Sequence, residues 1–162
     1  MALHPLTIEL VPRTAWYSNL RSELTKGEWD TVRKATYQAA GYKCEICGGK
    51  GEKWPVECHE KWEYDDSEKI QTLLGLIALC PTCHRVKHAG LATIHGKKAD
   101  VIAQLVRVNN WPIQQARVYI EQSFARWVER CNYHWEQDTT WLERNYGITI
   151  KAKSQPPPPP GE

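Results

Sequence analysis

The stretch Cys80-Pro81-Thr82-Cys83-His84-Arg85-Val86-Lys87-His88 decides how this chain is read. Two thiols three apart are followed at once by two imidazoles four apart, with proline where helices commonly begin. On a helix starting at Pro81 the two histidines lie about 40° apart in projection and share a face, while Cys83 lies about 100° from His84. Sulfurs and imidazoles must then point to different places, and the pattern calls for two sites.

Working outward, Cys44-Glu45-Ile46-Cys47 supplies a matching thiol pair. A Cys-x-x-Cys turn holds two sulfurs on one side, and two such turns complete a tetrahedron around Zn²⁺ at about 2.3 Å per bond. The expected structural zinc site is Cys44, Cys47, Cys80 and Cys83. The 32 residues between the pairs exceed ordinary ribbon spacing and make an insert with room for two strands, expected at 55–61 and 73–79. On the first of these lies Glu57-Cys58-His59-Glu60, and a histidine near neutral pKa is the usual general base. His84 and His88 form an i, i+4 pair suited to a second metal ion.

This combination resembles the HNH endonuclease family, whose catalytic unit is a ββα-metal finger of two strands and a metal-holding helix. The resemblance rests on Cys44-x2-Cys47, Cys58-His59-Glu60 and Cys80-x2-Cys83-His84-x3-His88, and covers residues 44–88. It implies His59 as the base that activates water, with His84 and His88 binding a catalytic divalent ion (Mg²⁺, Mn²⁺, Ni²⁺ or Zn²⁺) or orienting the phosphate. Glu57 or Cys58 would complete the ligand set, although strand alternation turns Glu57 away from the side of Cys58. Cys58 stands where the family usually has Asp or His, and a thiolate there favours softer ions such as Zn²⁺. Gly75 replaces the family's asparagine nine residues before His84, which normally helps orient the base. The implied substrate is DNA, with Arg85 and Lys87 on flanking phosphates.

The expected architecture is α+β: an HNH-type finger with a four-cysteine zinc knuckle, embedded in flanking helices that include a long C-terminal one. Residues 1–153 read as one domain, with the metal-bearing core at 42–90, a helical part at 97–146, and a disordered proline-rich tail at 154–162. A strand is expected at 6–11 and a helix at 28–40 capped by Thr25. Further helices are expected at 81–88 and 98–108. From Ile113 to Tyr146 the apolar positions advance by three or four, giving one long helix or two stacked in line, with Cys131 on its apolar stripe. A short strand at 148–150 closes the chain on this reading.

The 162 residues carry a formal net charge of only +2, weaker than the basic signature of an obligate nucleic-acid binder. Arg85, Lys87, Lys97 and Lys98 against Asp100 suggest a local basic patch instead. No run of about 18 apolar residues is present, so no membrane span is expected. The N-terminus shows no signal pattern, which makes the cytoplasm the default and metal ligation the first use of the six cysteines. Two other classes stay open: a non-catalytic zinc-stabilised module that binds nucleic acid or protein, and an adaptor that uses the Trp-rich helix as an interface.

Overall fold

The computed structural model describes residues 5–15 and 19–150; the proline-rich tail lies outside them. Its elements are α1 (Leu20–Glu23), α2 (Lys26–Ala39), β1 (Glu57–Asp65), β2 (Ile70–Leu79), α3 (Pro81–Lys87), α4 (Ala89–Ile94), α5 (Lys98–Asn109), α6 (Ile113–Arg130), β3 (Glu136–Asp138) and α7 (Thr140–Tyr146). The fold is α+β, with a three-stranded sheet of order β1-β2-β3 in which β1/β2 is antiparallel and β2/β3 parallel.

The sheet separates two cores, and a single irregularity in β2 explains how. Side chains alternate faces along a strand, so Leu73, Ile77 and Leu79 should share one face. They do not. Trp62 pairs with Leu73 while Lys61 pairs with Gly75, which leaves Leu74 as one extra residue in β2. A bulge of this kind reverses the face of everything beyond it. Leu73 therefore joins Leu20, Leu24, Val32 and Leu142 under α1, α2 and α7. Ile77 and Leu79 join Leu6, Val86, Val101, Leu105, Ala116 and Ile120 under α3, α5 and α6. β1 keeps strict alternation, so Glu57 and His59 face α3 while Cys58, Glu60 and Trp62 face the other core.

Helix ends follow local chemistry. Thr25 and Glu28 form a capping box at the start of α2. Cys80 caps α3 through its sulfur, with Pro81 in the first turn. Asn110 adopts φ 54° and ends α5, so that Trp111 and Pro112 can lead directly into α6.

Four expectations need correction. Residues 6–11 are extended but pair with no strand; the Leu6 N–H bonds Asn109 Oδ1, the Ile8 N–H bonds Tyr119 Oη, and the Glu9 N–H reaches Lys87 O. Side chains and one helix carbonyl satisfy this backbone, which removes the need for a ladder. The long C-terminal helix is two helices separated by β3, because the Trp135 indole donates to Arg130 O and the next three residues pair with Ile70–Thr72. Cys131 caps α6, half-buried, and does not continue an apolar stripe. Residues 148–150 form no strand; Ile148 and Ile150 pack on the second core. A further helix, α4, restarts immediately after His88 despite Gly90.

Candidate metal centres

The four cysteines predicted to act together do meet. Their sulfurs lie within 4.8 Å of one another, and Cys47 Sγ stands 3.6 Å from Cys80 Sγ. A tetrahedron with bonds of about 2.3 Å has edges of about 3.8 Å, so this spacing fits a single ion. Gly48, at φ 74°, closes the first turn, and the Cys47, Gly49 and Cys83 amides point at the sulfurs of Cys44, Cys47 and Cys80. The turn docks on the end of β2 through Glu45 N–H to Ala78 O and Ala78 N–H to Glu45 Oε2. From α5, the buried Gln104 donates to Cys83 Sγ at 3.2 Å.

The electrostatics suit a cation. Hydrogen bonds from Cys80, then Cys83, hold the Cys44 thiol far below its ordinary value. Sharing with that thiolate pushes Cys80 up to about 11 and raises Cys83 as well. The thiols alone support little more than one negative charge in this space. A dication would let all four ionise, and its binding would then be folding free energy.

The second group is nitrogen-based. His59 on β1, His84 on α3 and His88 at the end of α3 each bring a ring nitrogen within 4.8 Å of the others. The Nε2 atoms of His84 and His88 are 3.1 Å apart. Nitrogens sharing one ion at about 2.1 Å would stand roughly 3.0–3.4 Å apart, so the imidazoles fit a common cation. Glu57 Oε2 lies 2.5 Å from His84 Nδ1 and fixes that ring, leaving Nε2 turned to the cluster. His59, 5 % exposed, places Nε2 2.7 Å from Glu9 Oε2, while Lys87 donates to Glu9 Oε1 at 2.9 Å.

Protonation states suit metal binding or base chemistry. Burial lowers the His59 pKa, offset in part by the hydrogen bond to Glu9. Desolvation, followed by repulsion from His84 and His59, pushes His88 down to about 4, although the residue is exposed. Both rings are therefore neutral near pH 7. Burial opposes ionisation of Glu9, but the hydrogen bond to His59 and the charge of Lys87 outweigh it and hold the carboxyl below its ordinary value.

The structure brings together His59, His84 and His88 and, on a separate centre, Cys44, Cys47, Cys80 and Cys83. Cys58 stands apart from both groups. On the opposite face of β1 it hydrogen-bonds Thr36 of α2, and burial raises its thiol to about 12, so it stays protonated. Of the two carboxylates flanking His59, Glu57 joins the site; Glu60 turns away to accept from Leu20 N and the Trp62 indole. Lys87 is also misplaced by the sequence reading. It is 3 % exposed and bound to Glu9 and Thr7, which leaves it no route to an external phosphate. Arg85 is exposed, 3.5 Å from Asp100.

Glu9 is the residue that sequence reasoning missed. Its one local signal is an acid flanked by Ile8 and Leu10 in an otherwise apolar run, yet its partner is fifty positions away. Gly75, in turn, does not sit beside the base: a Cβ there would meet the Trp141 indole at 3.5 Å, and φ is 154°. The histidines open on a cavity of about 660 Å³, whose walls include Trp62, Leu91, Phe124 and Trp127. Compared with family models, with curated proteins and with solved structures, the chain matches none. Among the described residues, no helix is long and apolar enough to cross a membrane.

Proposed function

We propose that the chain is a metal-dependent endonuclease of the HNH type that hydrolyses phosphodiester bonds in DNA, with His59 as general base. The observation that carries this reading is the convergence of His59 with His84 and His88, each of the first two held by a carboxylate, at the wall of an open cavity. The four-cysteine centre takes zinc and is structural, because its sulfurs are soft ligands and three of the four cysteines are buried.

In this reading Glu9 accepts the Nε2 proton of His59, which leaves Nδ1 to take a proton from water, and the carboxylate stabilises the imidazolium that forms. Glu57 fixes the ring of His84 so that its Nε2, with His88, can hold a divalent ion. Such an ion supplies charge stabilisation for the phosphate and the departing oxygen. Glu9 performs the orienting task that the family's asparagine has, so Gly75 is no obstacle to activity. The aromatic and apolar walls limit water around the reacting groups.

Incubation of supercoiled plasmid with the purified protein and Mg²⁺, Mn²⁺, Ni²⁺ or Zn²⁺ tests the reading. Conversion to nicked or linear DNA is expected with at least one ion. No conversion with any of the four would overturn it in favour of a non-catalytic zinc-stabilised binding module.

A further inference from the structure

Beside the histidine cavity lies a second, polar one of about 310 Å³, and the two share a ridge formed by Glu9, Leu10, Trp62 and Trp127. Arg126 and Arg130 of α6 line the polar cavity together with Gln122 and Ser123. Among the described residues its lining includes one carboxylate, Glu9, already engaged by His59 and Lys87. Arg130 is spoken for as well: it makes a two-pronged pair with Asp66 and lies over the Tyr64 ring. Arg126 is exposed and makes no ion pair with a described carboxylate. Outside the lining of both cavities, the exposed Arg13 stacks on the ridge residue Trp127, 4.8 Å from the ring centroid, and the Trp127 indole is anchored to Val11 O.

We infer that this ridge and polar cavity form a binding track for the phosphodiester backbone of DNA leaving the histidine site. The inference rests on the endonuclease reading and names the surface that holds the substrate. Arg13 and Arg126 make no ion pair with a described carboxylate, although the charge of Arg126 reaches Asp66; both face a strand of negative phosphates, and neither belongs to the finger at residues 44–88. Guanidinium forks pair with phosphate oxygens in two-point fashion, and each neutralised phosphate releases counterions. Stacking on Trp127 fixes the Arg13 fork in advance, while Gln122 adds a neutral donor beside Arg126; the Ser123 hydroxyl already donates to Tyr119 O. The track replaces the patch expected at Arg85 and Lys87, whose lysine is buried and paired.

The test is fluorescence anisotropy of a short labelled DNA duplex with the full chain, without added divalent ion, over a series of salt concentrations. Arg13→Ala/Arg126→Ala should weaken Kd by about tenfold at low salt and make the slope of log K against log salt shallower by roughly 1.8, since each phosphate contact contributes about 0.9. Arg126→Glu, at an exposed helix position, should weaken binding with an unchanged thermal midpoint. Arg117→Ala is the control: nine residues earlier on α6, it points about 180° away and should bind as the parent does. Unchanged Kd and slope in the double variant would overturn the track and leave the endonuclease reading standing, as would an equal loss in Arg117→Ala. Failure of the endonuclease reading looks different: plasmid is not converted with any of the four ions, whereas a parent that binds no duplex at low salt overturns the track.

Discussion

The four-cysteine and three-histidine centres flank the same short helix, yet they differ in almost every physical respect. The sulfur centre is enclosed, receives four N–H donors, and is crowded enough that its thiols oppose one another's ionisation, which a cation would relieve. The imidazole centre borders open space; His59 and His88 are neutral near pH 7, and carboxylates from the N-terminal segment and from β1 hold the rings of His59 and His84. One helix serves both because Cys80 and Cys83 lie at its start and inner side while His84 and His88 follow on another face. The difference teaches that ligand type and enclosure, rather than ligand number, separate a centre that holds the fold from one that is free to do chemistry.

The largest effect is expected where the comparison is broken at the sulfur end. Cys80→Ser removes one of the four sulfurs of the proposed zinc centre, while the serine hydroxyl can still cap α3. A structural zinc contributes on the order of 10 kcal/mol in small domains, more than an ordinary domain can lose. Circular dichroism melting should show no cooperative transition, with zinc content below one ion per chain. His88→Ala, by contrast, should keep that transition and its zinc while weakening the dependence of cleavage on divalent ion.

Glu9→Gln sharpens the imidazole end. It removes the charge that supports His59 protonation, so the His59 pKa should fall further and the acid limb of the cleavage–pH profile should move to lower pH. A loss of activity of about tenfold is expected at the plateau, toward the lower end of what orienting a base contributes. A profile that does not move would show that Glu9 serves its pair with the buried Lys87 and does not set the protonation of His59.

The two depressed histidines also set a stability trend. Their neutral forms are favoured in the fold, so the unfolded chain binds more protons between pH 6.5 and about 4. Stability is present above that window and is lost as pH falls through it. Urea midpoints should therefore decline from about pH 7 to about pH 4.5, and less steeply in His88→Ala than in the parent at the same zinc content. The smallest effect is expected from Gly75→Asn, which places a side chain at φ 154° against Trp141. A destabilisation of about 1–3 kcal/mol and no gain in cleavage are expected.

What could be read from the sequence was local. The cysteine pairs, His84 with His88, the two strands of the insert and the capped helix at Thr25 are all set by spacings within one turn or one hairpin. What could not be read depended on distant partners. Glu9 acquires its role only when the extended N-terminal segment lies along α3, and Cys58 loses its role because alternation sends it to α2. The apolar period from 113 to 146 continued across β3 because Trp135 and Leu142 are buried for other reasons, one packed near Tyr64 and one in the second core. The bulge at Leu74 left no mark in composition, yet it decides which core each half of β2 enters.

On the proposed reading, chemistry resides in the histidine centre and stability in the sulfur centre. The most direct test compares plasmid cleavage by the parent and by His59→Ala at equal zinc content, with the divalent ion that supports parent activity. Turnover in the variant should drop by about 10²–10⁴-fold, with zinc content and the cooperative unfolding transition retained. Equal turnover in the two proteins would contradict that reading.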